Sequence, residues 1–254
     1  MSKDNLLALK GIRKTFGGLV ALDDVNTSIK KGQLAMLIGP NGSGKTTLIN
    51  VVSGTYKPDK GRVQFEGTDI TGWTADRICK MGLVRTYQIP QLFIKLTVLE
   101  NILTAYQENP GTGFLKACFK KTWVKREEDA TEKAFRTLKT VDLDNIWDKK
   151  ASELSGGQMK LLETGRALMS GAKMILMDEP AAGIFPTLID KIFSYFVELK
   201  KKFGVTFLII EHRLEPVLPY VDYVYALDRG RVISEGKANK VLNDSRVIES
   251  YLGE

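Results

Sequence analysis

The residues best suited to chemistry in this sequence form a glycine-rich run at Gly39–Thr46. It reads Gly39-Pro40-Asn41-Gly42-Ser43-Gly44-Lys45-Thr46 and fits the eight-residue phosphate-binding loop at every specified position. Glycines let backbone N–H groups turn towards phosphate oxygens without side chains in the way. The Lys45 ammonium can lie between the β- and γ-phosphates, and the Thr46 hydroxyl can ligate the Mg²⁺ that bridges them. The run therefore predicts a nucleoside triphosphate site.

Two adjacent carboxylates, Asp178 and Glu179, follow an apolar run at Met174–Met177. Pro180 comes next and prevents a central strand from continuing. Because ligands of parallel α/β sheets bind at the carboxyl ends of strands, we predict that Asp178 holds Mg²⁺ through water and that Glu179 orients or deprotonates an attacking water. An isolated strand that ends in acids is more often the start of a turn. The phosphate-binding loop upstream favours the catalytic interpretation.

Two further candidate site residues are His212 and Gln88. His212 is the only histidine and follows an apolar stretch, Phe207–Ile210, and Glu211. A lone histidine is usually structural, but at this edge a ring N–H can donate to negative charge that develops on the γ-phosphate. Gln88 alone would be an ordinary loop glutamine. Because it precedes a helical stretch, we interpret it as a nucleotide sensor.

The phosphate-binding loop lies between a predicted strand and a predicted helix. Gln33–Ile38 reads as a buried strand that leads directly into the loop. Thr47–Val52 continues as a helix whose positive N-terminal end faces the same phosphates. This strand–loop–helix order supports the phosphate-binding interpretation, because phosphate loops occur in that context.

The remaining patterning divides the chain into an α/β core and a helical block. Residues 5–36 alternate as antiparallel strands do, and Lys57–Gly61 predicts a turn before a strand at Arg62–Gly67. From about Pro90 to Leu154 the pattern is helical. After Gly156 the predicted elements are a helix to about Met169, a strand over 173–178, a helix over 186–202 and a strand over 205–210. The helical block is therefore predicted to be inserted into a nucleotide-binding core.

Two segments of the helical block carry more detailed predictions. Thr97 is expected to start one helix, and Glu127–Leu138 to form an amphipathic one with a shared apolar face. The members of that face are Ala130, Ala134, Phe135 and Leu138. Lys116–Arg126 holds five basic residues and no acid, with Phe119 and Trp123 one turn apart. It is either an interfacial or partner-binding helix or, as charge runs usually are, a solvated helix with two aromatics packed inward.

The composition is that of a globular protein. The chain has 254 residues, 43% of them hydrophobic, and contains no apolar stretch near the ~20 residues that a membrane span requires. The N-terminus lacks a signal-peptide pattern, so we expect a cytoplasmic chain. Cys79 and Cys118 are too far apart for a Cys-x-x-Cys motif and are predicted to be free thiols. A net charge of +7 suggests an anionic partner, which nucleotide, nucleic acid or lipid headgroups could all provide.

With these motifs in this order, the chain resembles the nucleotide-binding subunits of ATP-binding cassette (ABC) transporters over nearly its whole length. Gly39–Thr46 looks like the family's Walker A loop, Gln88 its Q-loop, Leu154-Ser155-Gly156-Gly157-Gln158 its signature, Met174–Glu179 its Walker B motif and His212 its switch histidine. As a lone pentapeptide, the signature run would be only the start of a helix. Phe16 looks like the aromatic residue that stacks on adenine, with a core phenylalanine as the alternative.

The resemblance implies one ABC ATP-binding domain over residues 1–254, with an α/β P-loop core, an N-terminal antiparallel β subdomain and an inserted helical subdomain. The core and β subdomain comprise residues 1–88 and 156–254, and the helical signature subdomain about 89–155. ATP and Mg²⁺ are the implied cofactors. The implied roles are catalytic for Lys45, Gln88, Glu179 and His212; nucleotide-binding for Phe16, Gly39–Thr46, Thr47 and Ser155–Gln158; and metal-binding for Thr46, Gln88 and Asp178.

The resemblance also implies that two such domains dimerise head to tail. Ser155 and Gly157 of one would close on ATP held by the other, because a glycine-rich helix start offers backbone donors to the γ-phosphate. The implied partners are a second ATPase subunit, identical or different, membrane permease subunits and, indirectly, a solute-binding protein. This places the chain at the cytoplasmic face of the membrane. Ala181–Ile184 departs from the family's more usual Ser-Ala-Leu-Asp, and so lacks that aspartate.

Finer resemblance points to importers of branched-chain amino acids. It rests on Phe16–Leu22, Arg85–Gln88, Leu96–Asn101 and Ala181–Gly183. Importers of urea or short amides could share these motifs, because fold and family do not specify a ligand. A non-transport ATPase acting on nucleic acid or ribosomes is the competing class, but only 108 residues separate Lys45 from Leu154, without sustained heptads, so no nucleic acid is expected. A metabolic kinase would not explain the signature.

Overall fold

The computed structural model describes residues 5–107 and 120–252, and only the backbone at 120–125 and 186–187. The described residues form two compact units. One comprises the described parts of Met1–Gln88 and Lys173–Glu254, and the other those of Ile89–Ala172.

The strands and helices of the described residues are numbered here in chain order. The strands are β1 (Asn5–Phe16), β2 (Leu19–Lys30), β3 (Leu34–Ile38), β4 (Lys60–Phe65), β5 (Thr68–Asp69), β6 (Leu83–Arg85), β7 (Met174–Asp178), β8 (Thr206–Ile210), β9 (Tyr223–Asp228) and β10 (Arg231–Gly236). The helices are α1 (Lys45–Val52), α2 (Ala75–Lys80), α3 (Val98–Leu103), α4 (Lys120–Thr140), α5 (Gly156–Met169), α6 (Pro186–Phe203), α7 (Ala238–Leu242) and α8 (Ser245–Leu252).

The first unit contains an antiparallel sheet with strand order β2-β1-β4-β5. The antiparallel pattern predicted before residue 36 is confirmed in β1 and β2, where Val25 and Ile29 are buried. The strand predicted at Arg62–Gly67 ends earlier, at Phe65. Glu66 and Gly67 both have positive φ, of 49° and 77°. Such a pair forms the tight turn that joins two antiparallel strands, here β4 and β5.

The second sheet of this unit has strand order β10-β9-β3-β8-β7-β6. All pairs from β9 to β6 are parallel, and only β10 pairs antiparallel, with β9. Every residue of β3 and β8 is buried, as expected of strands covered on both faces. These are the strands that the apolar runs before the phosphate-binding loop and before Glu211 predict. The observed architecture is the predicted α/β fold with an added antiparallel sheet.

Helix α6 illustrates how an amphipathic pattern covers this sheet. Its buried residues recur at helical spacing: Ile189, Ile192, Phe193, Phe196 and Leu199. The ring of Phe196 stacks on Phe207 of β8, with centroids 5.2 Å apart. The helix ends at Gly204, which has the left-handed conformation common at such positions.

The second unit is built from α3, α4 and α5. Thr97 begins α3 through a capping box with Glu100, as the sequence predicts for the start of a helix. Gly165 on α5 lets the helices approach closely, since a Cβ there would lie 2.8 Å from Ile102 Cδ1. Helix α5 therefore packs with α3 and α4. By these contacts residues 156–172 belong to the second unit, whereas the sequence-based prediction placed them in the core.

The apolar face predicted for Glu127–Leu138 is correct at three of its four positions. Ala130, Ala134 and Leu138 are buried, but Phe135 is an exposed residue. Its ring makes an edge contact with Trp147, with centroids 5.7 Å apart, and Trp147 is itself exposed. This local aromatic pair replaces the predicted core contact of Phe135.

Three other sequence predictions have simple outcomes. Cys79 is a free thiol, as predicted, and burial raises its pKa. Cys118 and the first part of Lys116–Arg126 lie outside the described residues, as do the side chains of that segment through residue 125.

Within the described ranges, no helix combines the length and the apolar character that crossing a membrane requires.

Candidate functional site

The parallel sheet brings the phosphate-binding loop and four predicted site residues to one edge. The phosphate-binding loop follows β3, Gln88 follows β6, Asp178 ends β7 with Glu179 next, and His212 follows β8. Because β8 lies between β3 and β7, the segment that carries His212 emerges between the phosphate-binding loop and the two carboxylates. Loops at the carboxyl ends of parallel strands form the ligand-binding edge of such sheets.

The first and last glycines of the phosphate-binding loop have little room for side chains. Gly39 has a φ of 147°, and a Cβ there would lie 2.0 Å from Leu227 O. Gly44 has a φ of 104°, and its Cβ would lie 2.6 Å from Ala21 O. Gly42 also has a positive φ, of 73°, but nothing lies within 4 Å of its Cβ position. The loop therefore packs tightly against the core at both ends and is open at its middle.

The Lys45 side chain turns into the loop. Its Nζ donates hydrogen bonds of 2.7 Å to both Gly39 O and Pro40 O, and it lies 3.4 Å from Ser43 Oγ. The ammonium is thus held by the backbone of the loop that would surround the phosphates. Lys45 is also the first residue of α1, so it occupies the positive end of that helix.

The other residues of the loop differ in exposure. Asn41, Gly42 and Thr46 are exposed, and Thr47 is half-buried. Pro40 and Ser43 are buried, and Ser43 O accepts a 2.9 Å hydrogen bond from Gly230 N. This bond ties the loop to the turn between β9 and β10, whereas the exposed positions remain accessible to a ligand.

Glu179 lies between Gln88 and His212. Gln88 Nε2 donates a 2.9 Å hydrogen bond to Glu179 Oε2, and His212 Nε2 lies 3.4 Å from Glu179 Oε1. Glu179 has a φ of 49°, which is uncommon for a residue with a side chain. Such backbone conformations cluster at functional sites. The three side chains that the sequence singled out separately therefore form one contact group.

Asp178 has a neighbour that the sequence analysis did not assign. Arg85 Nη2 lies 3.5 Å from Asp178 Oδ2, and Arg85 Nη1 donates to Asn50 Oδ1. Both charged side chains are largely buried. Arg85 therefore offsets part of the charge of the carboxylate expected to hold the metal. Its position three residues before Gln88, at the end of β6, is the sequence feature that could have indicated a place in the site.

Glu211 is a second residue whose contact with the site was not predicted from the sequence. Its side chain is buried, and Oε1 accepts a 2.5 Å hydrogen bond from Ala181 N. Burial raises the pKa of Glu211, the Glu179 carboxylate raises it further, and backbone N–H donors from Ala181, Arg213 and His212 act in the opposite direction. A glutamate directly after an all-apolar strand was the sequence signal, since such a residue is rarely buried without partners.

Phe16 is an exposed residue at the end of β1, not a core phenylalanine. Phe16 is 42% exposed. Its ring makes an edge contact with the ring of Tyr56, and the two centroids are 5.2 Å apart. Lys14 Nζ lies 5.3 Å from the Phe16 ring centroid. The flat face of an accessible ring can stack on a base.

The segment before Phe16 is fixed by Asp59. The Asp59 carboxylate accepts hydrogen bonds from Thr15 Oγ1, Lys14 Nζ and Thr15 N. These contacts, first that of the Thr15 hydroxyl, lower the pKa of Asp59 to about 2. An exposed carboxylate thereby holds the strand end that presents Phe16.

In the second unit, the signature residues form the start of α5. Ser155 is the N-cap: its Oγ accepts from Gln158 N, and its own N donates to Gln158 Oε1. This reciprocal pair is a capping box. Ser155 and Gly156 are exposed, whereas Gly157 is buried and Gln158 is half-buried. The Ser155 hydroxyl is thus at an accessible helix N-terminus, where backbone donors favour anions.

One contact to the phosphate-binding loop comes from the end of the chain. Gly39 N donates a 2.7 Å hydrogen bond to the Tyr251 hydroxyl on α8. Helix α8 is anchored by buried Val247 and by Asp244, whose carboxylate accepts from Arg246. No motif beyond His212 indicates a site residue in the sequence, so the contact of Tyr251 was not predicted.

The family profile described as ABC transporter matches residues 22–182. The chain belongs to the ABC transporter family. It is an ATP-binding cassette ATPase, and nucleotide binding follows from that membership. The predicted α/β P-loop fold and the resemblance stated from the motifs are both confirmed.

Similar proteins match the cassette over almost all of its length. A Methanocaldococcus jannaschii protein named as a probable branched-chain amino acid transport ATP-binding protein, LivG, is 50% identical over 253 residues, covering 98% of both chains. The ADP conformation of an ABC transporter cassette superposes with a TM-score of 0.86 at 49% identity, covering 98% of this chain and 99% of that one. A dimeric cassette bound to ADP and Pi has a TM-score of 0.72 at 27% identity, covering 91% and 98%.

Proposed function

We propose that this cassette hydrolyses ATP to energise the import of branched-chain amino acids. The proposed solute rests on the M. jannaschii relative, which carries that function in its name and matches at 50% identity over 98% of both chains. The residue runs Arg85–Gln88 and Ala181–Gly183 support the same choice, because they were the basis of the finer resemblance.

The proposed chemistry rests on one observation, the position of the Glu179 carboxylate between Gln88 and His212. A carboxylate at the sheet edge beside a phosphate-binding loop can accept a proton from, or orient, a water that attacks the γ-phosphate. His212 can donate to charge that develops there. Lys45, at the start of α1, supplies a positive charge to the phosphates.

The residues present fit a nucleotide that carries Mg²⁺. Proteins usually hold this ion with one or two side chains, together with substrate phosphates and water. Thr46 and Asp178 would hold it, with Gln88 as the third candidate. Within the described ranges, no cluster of three or more His, Cys, Asp or Glu could hold a metal by itself, which agrees with an ion that arrives with the nucleotide. When bound, the ion would neutralise phosphate charge.

The cassette is proposed to work as a head-to-tail dimer. The exposed Ser155 at the start of α5 would meet the γ-phosphate of ATP held by the partner, because helix starts attract anions. A similar cassette that is dimeric with ADP and Pi bound supports dimerisation. Release of phosphate after hydrolysis would then remove the charge that holds the two surfaces together.

The proposed partners are membrane permease subunits, a second cassette, identical or different, and indirectly a solute-binding protein. These place the cassette at the cytoplasmic face of the membrane. Permease attachment is how a cassette can act on a solute across a bilayer, and the name of the relative supports it.

Purification of an N-terminally tagged chain from native membranes tests this proposal. The complex is reconstituted in proteoliposomes, and ATP-dependent accumulation of labelled leucine, isoleucine, valine, urea and acetamide is measured. A complex that carries Glu179→Gln is the matched control. Leucine, isoleucine or valine accumulation that this substitution abolishes would support the proposal. Accumulation of urea or acetamide alone would reassign the solute. Recovery without a permease, together with DNA binding that weakens steeply with salt, would indicate the nucleic-acid alternative.

A further inference from the structure

Glu211 joins two segments that carry the proposed catalytic residues. It lies between Ile210, the last residue of β8, and His212. Its side chain is buried, yet its carboxylate accepts a 2.5 Å hydrogen bond from Ala181 N, two residues after Glu179. In the chain itself, Glu211 is bonded directly to His212. One residue thus connects the turn after Glu179 to the segment that carries His212.

Two more hydrogen bonds connect the same segments. Glu179 N donates to Ile210 O over 2.9 Å, and Arg213 Nη1 donates to Ile184 O over 3.4 Å. The bond to Glu211 lies between these two along the chain. Because the Arg213 bond is long and only part-buried, the buried Glu211 carboxylate is the stronger of the two side-chain links.

The backbone at Glu179 needs such support. Its φ of 49° lies in the left-handed region, and residues with side chains persist there only when surrounding contacts impose it. Pro180 has no N–H group. Ala181 N is therefore the first backbone donor after Glu179, and it is the one that Glu211 holds. The turn also has an internal bond of 3.0 Å from Ala182 N to Glu179 O, so loss of the Glu211 acceptor would loosen its link to the His212 segment rather than unfold it.

We propose that Glu211 is a positioning residue for ATP hydrolysis. Its carboxylate fixes the turn after Glu179 to the loop that carries His212, so that the two side chains keep their separation while the nucleotide is exchanged. This inference rests on the proposed function of Glu179. In this role Glu211 acts through Ala181 and through its position next to His212 in the chain.

The test compares Glu211→Ala and Glu211→Gln with Glu215→Gln, an exposed glutamate four residues away. Steady-state ATP hydrolysis by the purified chain gives kcat and KM, and nucleotide titration gives the affinity for ATP. Hydrogen exchange at Ala181 N reports the contact directly. A misplaced catalytic group lowers the rate by about 10- to 100-fold, so we expect that loss in kcat for Glu211→Ala, with ATP affinity nearly unchanged.

Glu211→Gln keeps the size of the side chain and one acceptor oxygen, but it removes the negative charge that strengthens the bond from Ala181 N. We expect a kcat loss of roughly 3- to 10-fold and faster exchange at Ala181 N, with Glu215→Gln at the wild-type value. Should Glu211→Ala fail to fold, this variant decides the question. Wild-type kcat and exchange in Glu211→Gln would overturn the inference, as would parallel losses in kcat, ATP affinity and thermal stability. Full turnover in Glu179→Gln would instead reject the proposed function.

Discussion

Gln88 Nε2 donates a 2.9 Å hydrogen bond to Glu179 Oε2. The same carboxylate is 3.4 Å from His212 Nε2, so two segments from different strands converge on one candidate general base. We therefore expect that removal of the Glu179 carboxylate, more than a change in the phosphate-binding loop or in His212, leaves ATP binding intact while it stops hydrolysis.

Replacement of Glu179 by glutamine is expected to slow hydrolysis by about 10²- to 10⁴-fold, because a general base contributes on that scale. ATP binding should persist, and an ATP-bound dimer should accumulate. Turnover measurements and size-exclusion chromatography with ATP check both outcomes. Glu215→Gln, at an exposed position, serves as the control. Near-normal turnover would remove Glu179 from its assigned role.

Ser155→Arg is expected to abolish hydrolysis while the monomer binds nucleotide almost normally. Ser155 caps α5 in the second unit, whereas the phosphate-binding loop belongs to the first, and the proposed site takes Ser155 from the partner chain. Fluorescent-nucleotide titration at low protein concentration measures monomer binding. Ser152→Arg, at an exposed residue outside the signature, is the matched substitution. An equal loss of monomer affinity in Ser155→Arg would argue against a shared site.

Gly39→Ala tests the packing of the phosphate-binding loop. The new Cβ would lie 2.0 Å from Leu227 O, at a φ of 147°, so the loop must move. We expect unfolding to be easier by at least about 2 kcal/mol and nucleotide affinity to fall. Gly18→Ala is the control, since nothing lies within 4 Å of its Cβ position, and it should change stability by no more than about 0.5 kcal/mol. Equal denaturation midpoints for the two variants would contradict the structure.

The stabilisation from Asp59 should depend on pH. The pKa of Asp59 in the folded chain is about 2, lowered from 3.8, so its contribution is present above about pH 4 and is lost as the pH falls through about 2. Asp59→Asn removes this titration. Denaturation curves between pH 5 and pH 2 should therefore show a shallower acid-induced loss for Asp59→Asn than for the wild type. Parallel curves would show that the contacts with Thr15 and Lys14 do not persist in solution.

Tyr251→Phe removes only the hydroxyl that accepts from Gly39 N. A lost hydrogen bond of this kind lowers stability by about 1 kcal/mol, and we expect faster hydrogen exchange at Gly39 N. Leu252→Ala, on the same helix at a residue 80% exposed, should leave that exchange unchanged. Unaltered exchange at Gly39 in Tyr251→Phe would show that α8 does not support the loop.

The sequence predicted the parts of the fold that depend on local pattern. The strands before the phosphate-binding loop and before Glu211 are apolar throughout because they are covered on both faces. The capping residues Thr97 and Ser155 begin helices because their side chains bond to backbone only three residues away. Both kinds of signal lie within a few residues, so they can be read without a partner.

The missed features depend on residues that are distant in sequence. Phe135 fits an apolar helix face, but Trp147 offers it an exposed aromatic partner instead. Arg85 and Glu211 acquire their importance from Asp178 and Ala181, which become neighbours only when β6, β7 and β8 pair. No local periodicity encodes such contacts, and short motifs do not include them.

The hydrogen bond between Gly39 and Tyr251 has a consequence for synthesis of the protein, because 212 positions separate the two residues. At about 5 to 20 residues per second, a ribosome needs roughly 10 to 40 s to make the intervening chain. Strand β3 likewise cannot pair until β8 and β9, its two neighbours in the sheet, have been made. A nascent chain therefore carries the phosphate-binding loop without the hydroxyl that accepts from Gly39 N until α8 has been made.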